Sequence, residues 1–310
     1  MQQTIILCPL YNDEASFALF AAEIEKQIKN IPDHQFSFLV VNDGTPKPLI
    51  KTLLPLSIVH LSRNLGHQKA IAIGLAYAHH HLSFDQLIVM DCDGEDQPGD
   101  IQKLLQHSSG SCIVVASRAS RQEGKQFQLF YKIYQLLFRI LTGKKISFGN
   151  FMLIPSSMVG RLIHYSEIWN HLAGSVIKSG MPMKAVSTHR GKRYEGRSKM
   201  SFTSLFLHGL GAIGVFTDII ASRLLLFSMV MIFLSLVAIV IIVSIKLFTD
   251  LAIPGWATGA VSSMLIVLLQ SFLLSLFTIF LHLSSASQRR FIPALHYEDY
   301  VQSVETPVYG

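Results

Sequence analysis

Two aspartates separated by one residue, Asp91 and Asp93, are the strongest chemical signal in this 310-residue sequence. They follow a short apolar run, Leu87–Met90, so both carboxylates are expected where a buried strand ends. Carboxylates at this spacing can hold a hard divalent cation, Mg²⁺ or Mn²⁺, which proteins commonly share with substrate phosphates. An acidic turn that merely ends a strand has the same pattern, and the surrounding motifs favour the metal.

Two further motifs are of the kind that binds a nucleotide. Asp43, in Asn42-Asp43-Gly44, is suited to accept hydrogen bonds from a base or ribose, although aspartate is also common in simple turns. The stretch Arg63–Lys69 precedes a predicted helix, whose N-terminal amides would suit a diphosphate. Gly66 within it permits close approach of a backbone. Each motif alone is weak, and their order along the chain is what gives them weight.

Basic residues are concentrated before a predicted membrane-proximal helix: Arg190, Lys192, Arg193, Arg197 and Lys199. Such a run is also expected where a chain contacts anionic lipid. Arginine binds phosphate in a bidentate manner that lysine cannot copy. We expect Arg193 and Lys199 in a site for a phosphate-bearing acceptor, and the other three side chains facing lipid.

Three consecutive histidines, His79 to His81, end a predicted helix. Consecutive residues do not share a helix face, so a solvated helix end is favoured over a metal site.

The elements that must position these residues alternate between strands and helices. Apolar runs predict strands at Thr4–Leu7, Phe36–Val41, Ile58–Leu61, Leu87–Met90 and Cys112–Ser117, with helices at Ala15–Asn30, Gln68–His81 and Asp100–His107. This alternation favours an α/β fold with a mostly parallel sheet covered on both faces. Ligands bind at the carboxyl ends of strands in such sheets. The polar motifs, with Arg118 after the fifth strand, all follow strands, so we expect one site at one edge.

Two uncharged runs, Leu224–Ile245 and Ala260–Leu281, dominate the last third of the chain. Each is about 22 residues long, against the roughly 20 that span a bilayer as a helix. A buried helical hairpin is the less favoured alternative. Three basic residues flank the two runs on the outside, Arg223 and Arg289-Arg290, whereas the connection between the runs contains a single basic residue, Lys246. Because basic residues favour the cytoplasmic side, both ends of the chain are expected in the cytoplasm.

Two helices with wide apolar faces are predicted near these spans, at Phe127–Leu141 and Phe202–Ile220. They are either core elements or interfacial helices. The start of the chain lacks a basic region before its short apolar stretch, so no signal peptide is expected. Its three cysteines form no pattern of pairs, as in a reducing compartment. With the spans, a net charge of +6 favours lipid headgroups and phosphate-bearing substrates over nucleic acid.

In their order, these motifs resemble family 2 glycosyltransferases with a GT-A fold. The matching motifs are Pro9-x-Tyr11-Asn12-x-Glu14, Asn42-Asp43-Gly44, Arg63-Asn64-x-Gly66 and Asp91-x-Asp93. More narrowly, the chain resembles polyprenyl-phosphate glycosyltransferases, which include dolichyl-phosphate mannose synthases and bacterial GtrB-type and ArnC-type enzymes. That narrower resemblance rests on Gly149-Asn150-Phe151, Arg193-x-x-Gly196-x-Ser198-Lys199 and the two closing spans.

The resemblance implies an enzyme that transfers a sugar, with inversion, from a nucleotide-sugar donor to a polyprenyl phosphate, such as undecaprenyl phosphate. It implies Mg²⁺ or Mn²⁺ at Asp91 and Asp93. The implied catalytic residues are Asp93, Arg118, Arg193 and Lys199, and those implied to bind the nucleotide are Pro9, Tyr11, Asn12, Glu14, Asp43, Asn64, Gly66, Lys69 and Asp91. We expect a UDP-sugar rather than a GDP-sugar as donor, membrane lipid as a partner, no nucleic acid, and a homo-oligomer.

Three of these motifs depart from the family pattern, at four positions in all. Glu95 stands where glutamine is usual, Gly149-Asn150-Phe151-Met152 where Gly-Asp-Phe-Arg is frequent, and Met200 where tyrosine is usual. Glu95 and Met152 keep open a non-catalytic nucleotide-binding scaffold derived from such a transferase. A processive polysaccharide synthase would carry Gln-x-x-Arg-Trp, whereas neither Trp169 nor Trp256 follows an arginine.

The predicted organisation has four parts. A cytoplasmic GT-A domain is expected at residues 1–200, a juxtamembrane helix at 201–223, a two-helix transmembrane hairpin at 224–283 and a cytoplasmic tail at 284–310. The expected location is the inner (plasma) membrane, as a multi-pass protein.

Overall fold

The structure, a computed structural model, describes residues 1–46, 50, 52–118, 125–194, 209–249, 255–287 and 290–306. The described residues form two compact units. The first, here called the α/β unit, contains those up to 215 except 140–142, together with 290–306. The second, the apolar unit, contains 140–142 and those from 216 to 287.

An eight-stranded, mostly parallel sheet forms the α/β unit. Its strands are β1 (Gln2–Leu10), β2 (His34–Asn42), β3 (Leu56–Leu61), β4 (Gln86–Val89), β5 (Ile113–Arg118), β6 (Phe148–Pro155), β7 (Met183–Thr188) and β8 (Val301–Glu305). They lie in the order β7-β5-β6-β4-β1-β2-β3-β8. The first four strands pair in parallel, β6 runs antiparallel to β4 and β5, and β8 runs antiparallel to β3. All five predicted strands and the predicted fold class are confirmed.

Helices cover the sheet and fill the apolar unit. They are α1 (Glu14–Ile28), α2 (His67–His81), α3 (Ile101–Gln106), α4 (Lys125–Thr142), α5 (Ser156–Leu162), α6 (Leu172–Ser179), α7 (Thr217–Phe248), α8 (Trp256–Ser287) and α9 (Pro293–His296). Residues 209–214 are also helical. The predicted helices correspond to α1 to α4, and the predicted helix Phe202–Ile220 lies partly outside the described residues.

Burial of the central strands on both faces of the sheet explains why their sequences are continuous apolar runs. The last seven residues of β1 are buried, because helices lie on both faces of the sheet. On one face, Phe17 and Phe20 of α1 pack with Phe38 of β2 at ring-centroid distances of 5.4 and 6.1 Å. On the other, α2 lies so close that a Cβ at Gly74 would be 2.5 Å from the Leu7 side chain. This packing fixes the strand ends on which the polar motifs stand.

The apolar unit consists chiefly of α7 and α8, which pack against each other. Both are long and apolar enough to cross a membrane. Buried small residues recur every seventh position along α7, at Ala221, Ser228 and Ser235, while most of the large apolar side chains are exposed. Arg223 donates a hydrogen bond of 2.6 Å to the carbonyl of Ile140 near the end of α4. Two helices with this surface support membrane association.

Candidate active site

The loops after β2 and β3 are locked together by Asp43. Its Oδ1 accepts a hydrogen bond from the backbone N–H of Leu65 at 2.7 Å, and its Oδ2 accepts one from Gly66 at 2.9 Å. Gly44 has a φ of +86°, and a Cβ there would lie 2.7 Å from the backbone nitrogen of Asn64. Burial raises the pKa of Asp43 despite these two bonds. Asp43 therefore shapes the predicted diphosphate loop, and its own contact with a nucleotide stays a prediction.

The loop after β1 joins the same edge of the sheet. Asn12 has a φ of +48°, a left-handed conformation that asparagine tolerates better than most residues. Its backbone N–H donates to Thr45 Oγ1 at 2.8 Å. The carbonyl of Pro9 accepts a weak hydrogen bond from Cys92 Sγ at 3.8 Å. Tyr11 is exposed and Glu14 is half-buried at the start of α1. Ends of β1, β2 and β4 thus meet, as the sequence predicts.

Asp91 and Asp93 lie on a tight acidic turn after β4. Asp93 Oδ1 accepts the N–H of Glu95 at 2.9 Å, and Asp96 Oδ2 accepts the N–H of Asp91 at 3.1 Å. Burial, and secondarily the charge of Asp91, raises the pKa of Asp93 to about 6. A divalent cation would offset both the burial and the repulsion of these carboxylates, so the pair fits the predicted metal.

The number of carboxylates also suits Mg²⁺, which proteins often bind with one or two carboxylates plus substrate phosphates and water. Among the residues that the structure describes, no group of three or more His, Cys, Asp or Glu side chains could hold a metal ion. The assignment of a metal to Asp91 and Asp93 stays a prediction.

The basic segment before residue 195 packs directly onto this acidic turn. The Tyr194 N–H donates to the Asp93 carbonyl and the Gly191 N–H to the Glu95 carbonyl, each at 2.9 Å. Arg190, expected to face lipid, instead forms an ion pair of 2.6 Å with Glu95. Glu95, which stands where glutamine is usual, is therefore paired in the structure, because its carboxylate contacts the guanidinium of Arg190.

Arg193 lies between two carboxylates of the site. Its Nη2 is 3.4 Å from Asp13 Oδ2 and 3.4 Å from Asp93 Oδ2. All three side chains are about one-fifth exposed. Arg193 is predicted to bind an acceptor phosphate, and its guanidinium lies next to a predicted metal ligand.

His67, the first residue of α2, contacts Asp91 from the side of β6. Its Nε2 is 3.2 Å from Asp91 Oδ1 and 3.0 Å from Asn150 Nδ2. Asn150 Oδ1 in turn accepts a hydrogen bond from Gln68 Nε2 at 3.1 Å, and Gln68 Oε1 accepts the Leu172 N–H at 2.7 Å. Burial alone would lower the pKa of His67, but the charge of Asp91 raises it. Asparagine at position 150 thus belongs to a network that reaches Asp91.

Two predicted catalytic residues cannot be placed within the site. Arg118 is the last residue of β5, and its side chain is outside the described residues, as is the whole of Lys199.

Lys69 of α2 has its Nζ 5.3 Å from the ring centre of Trp169. His67 lies within the predicted diphosphate stretch Arg63–Lys69 but was given no role of its own, Arg190 was expected to face lipid, and Trp169 was not predicted to belong to this region.

Comparison with known proteins agrees with this geometry. The model of glycosyl transferase family 2 matches residues 5–169. A relative from Bacillus subtilis (strain 168), the uncharacterized glycosyltransferase YkcC, is 28% identical over 282 residues, which cover 85% of this chain and 83% of the relative. An undecaprenyl-phosphate 4-deoxy-4-formamido-L-arabinose transferase from Pectobacterium carotovorum is 24% identical over 211 residues, covering 64% of this chain and 63% of the relative.

Likeness to solved structures is weaker. Glucosyl-3-phosphoglycerate synthase from Mycobacterium tuberculosis is 13% identical with a TM-score of 0.47, over 70% of this chain and 80% of that chain. The family model spans more than half of the sequence, and the mixed, mostly parallel sheet with its acidic turn after β4 is the GT-A arrangement. The chain therefore belongs to glycosyl transferase family 2 and is a glycosyltransferase.

Proposed function

We propose that this glycosyltransferase transfers a sugar from a nucleotide-sugar donor to a polyprenyl phosphate at the cytoplasmic face of a membrane. The observation that carries the proposal is the position of Arg193. The guanidinium that we assign to the acceptor phosphate lies 3.4 Å from Asp93, the predicted ligand of a metal that would hold the donor diphosphate. An acceptor phosphate bound by Arg193 would therefore lie beside the donor, as direct transfer requires.

The donor half of the site is assigned to the loops after β1, β2 and β3. Asp43 holds the backbone of Leu65 and Gly66, which leads into α2. Backbone amides at the start of a helix favour an anionic group, so a diphosphate there would be stabilised by the helix and by Lys69. Asp91 and Asp93 would hold Mg²⁺ or Mn²⁺, which would neutralise charge on the leaving diphosphate.

The acceptor half is assigned to the basic segment that packs on the acidic turn. A phosphate monoester has its second pKa near ~6, so it is largely ionised at neutral pH and needs no strong base before it attacks the anomeric carbon. Arg193 would orient this phosphate, together with Arg118 and Lys199. The nucleotide leaves as its diphosphate, and the configuration at the anomeric carbon is inverted.

A lipid acceptor is supported by the apolar unit and by one relative. Two helices long and apolar enough to span a membrane belong to the same chain as the site. The Pectobacterium relative is named for transfer to undecaprenyl phosphate. Together they favour a polyprenyl phosphate over a soluble acceptor, with the chain as a multi-pass protein of the inner membrane.

Family membership and the paired departures favour catalysis over a scaffold role. Glu95 is paired with Arg190, and Asn150 with His67 and Gln68, so these two departures are built into the site. Met152, where arginine is frequent, is buried in β6. The preference for a UDP-sugar and the homo-oligomer both stay predictions.

The function is tested with purified protein in lipid nanodiscs that contain undecaprenyl phosphate. A panel of UDP-sugars and GDP-sugars is added with MgCl₂, and lipid products are analysed by mass spectrometry. We expect one donor class to give a lipid heavier by one sugar residue. If every donor is only hydrolysed to free sugar, the proposed acceptor is wrong.

A further inference from the structure

After α8 the chain returns to the α/β unit, in a part here called the return segment, residues 290–306. Its last strand, β8, pairs with β3, and His60 Nε2 lies 2.9 Å from Glu305 Oε1. The N–H of Ser62 donates to the carbonyl of Tyr300 at 2.9 Å, just before Arg63 and the predicted diphosphate loop. The return segment thus contacts β3 and Ser62, which lead into the predicted diphosphate loop.

The same segment contacts the far end of α2. His81 Nε2 is 2.7 Å from the hydroxyl of Tyr297, and the ring of His80 stacks on Tyr297 at 5.4 Å with an interplanar angle of 8°. The Ala294 N–H donates to the carbonyl of Ile163 at 3.1 Å. The three histidines, predicted as a solvated helix end, are exposed, and two of them also dock the return segment.

Trp169 links the return segment to Lys69. Its ring centroid is 3.8 Å from that of Phe291 and 5.3 Å from that of Tyr300. Beside it, Arg290 is 3.8 Å from Glu167 Oε1. The ammonium of Lys69 lies 5.3 Å from the ring centre of Trp169, within the range of a cation–π interaction. Trp169 therefore contacts both the return segment and the lysine assigned to the donor diphosphate.

We infer that Trp169, held by Phe291 and Tyr300, is a positioning residue that orders Lys69 for the donor diphosphate. The inference rests on the proposed function, because it takes Lys69 as part of the donor site. A lysine side chain loses much rotamer freedom when it binds an anion, and restraining it beforehand reduces that loss. The return segment would then act on donor affinity although it lies outside the sequence motifs of the site.

The test is a double-mutant cycle on the full-length protein, with UDP and GDP as probes. Their dissociation constants are measured by titration calorimetry in MgCl₂ for the parent, Trp169→Leu, Lys69→Met and the double variant. We expect Trp169→Leu to weaken binding of the preferred nucleotide about three- to tenfold in the parent and by less than twofold in the Lys69→Met background. Equal weakening in both backgrounds, or none in the parent, would overturn the inference.

A second variant and a second signal guard against general unfolding. Trp169→Phe keeps an aromatic ring against Phe291 and should retain more affinity than Trp169→Leu. The chain has two tryptophans, so Trp256→Phe in the apolar unit leaves Trp169 as the single indole fluorophore. Nucleotide should then change its emission when Lys69 is present and not in Lys69→Met. A Trp169→Phe variant as weak as Trp169→Leu, or the same emission change without Lys69, counts against the inference.

The outcomes also separate this inference from the proposed function. If Lys69→Met binds nucleotide like the parent, the role of Lys69 is wrong and the inference falls with it. If the cycle behaves as expected but no sugar is transferred to undecaprenyl phosphate, the positioning role stands and the proposed acceptor is wrong.

Discussion

Replacing Arg193 with lysine tests whether this side chain recognises the acceptor phosphate. Arg193→Lys keeps a positive charge at a position whose side chain contacts Asp13 and Asp93, so the electrostatic environment of these two carboxylates is largely retained. What is lost is the planar guanidinium, whose Nη2 lies 3.4 Å from a carboxylate oxygen on each side. At that distance the resting contacts are weak, so the effect should come mainly from the bound phosphate.

The expected magnitude follows from the loss of one charge-assisted hydrogen bond. Such a bond contributes roughly 1.5–3 kcal/mol, which corresponds to a fall on the order of tenfold to a hundredfold in rate. Because the donor is assigned to other residues, its binding should change less than about threefold. The loss should appear as weaker saturation by polyprenyl phosphate at a fixed, saturating donor concentration.

The assay pairs two titrations on parent and variant: nucleotide binding by calorimetry, and transfer rate against polyprenyl phosphate. Arg190→Lys, three positions before Arg193, is the matched control, because the guanidinium of Arg190 pairs with Glu95 and is not assigned to the acceptor. It should change acceptor saturation much less than Arg193→Lys. If Arg193→Lys weakens donor binding and leaves acceptor saturation unchanged, Arg193 belongs to the donor site.

Three other predictions address the metal, the topology and stability. Asp93→Asn should abolish transfer while the melting temperature stays near that of the parent, and EDTA should mimic it; full activity in either case would refute the metal role. Reporters fused at Met1 and after Gly310 should both report cytoplasm, with the connection near Trp256 outside; a periplasmic signal at either end contradicts the topology. Burial would raise the pKa of Glu167, but hydrogen bonding with Lys178 lowers it below its usual 4.5. The Glu167–Lys178 pair therefore stabilises the protein above pH 4.5, and this stabilisation is lost as the pH falls through the lowered pKa of Glu167 in the folded state. Lys178→Met should accordingly lower the melting temperature more at pH 7 than at pH 4, and an equal drop at both would contradict the reasoning.

The central fold was predictable because the strands and helices that build it carry strong patterns. β1 to β5 are short apolar runs since helices cover both faces of the sheet, and α7 and α8 are uncharged over their middle parts. β7 and β8 escaped prediction because they lie at the two edges of the sheet and are mostly exposed. β6 follows the apolar helix α4, and its own short run was not recognised as a strand.

The site was predictable only as far as residues close to strand ends. Asp43, Asp91 and Asp93 follow parallel strands, so topology alone brings them to one edge. The contacts of His67 with Asn150 and of Arg190 with Glu95 join positions 83 and 95 residues apart. They depend on where β6 and the segment after β7 lie, which no local pattern indicates. The contact between Trp169 and Lys69 similarly depends on the aromatic residues of the return segment.

The most direct test of the proposed reaction varies the acceptor and keeps the donor constant. Purified protein in nanodiscs is given its preferred nucleotide sugar with either undecaprenyl phosphate or undecaprenol, and the lipid products are analysed by mass spectrometry. We predict one added sugar on undecaprenyl phosphate, no product from undecaprenol, and no product from any lipid with Asp93→Asn. Transfer to undecaprenol at a rate equal to that with undecaprenyl phosphate would contradict a site built around the acceptor phosphate.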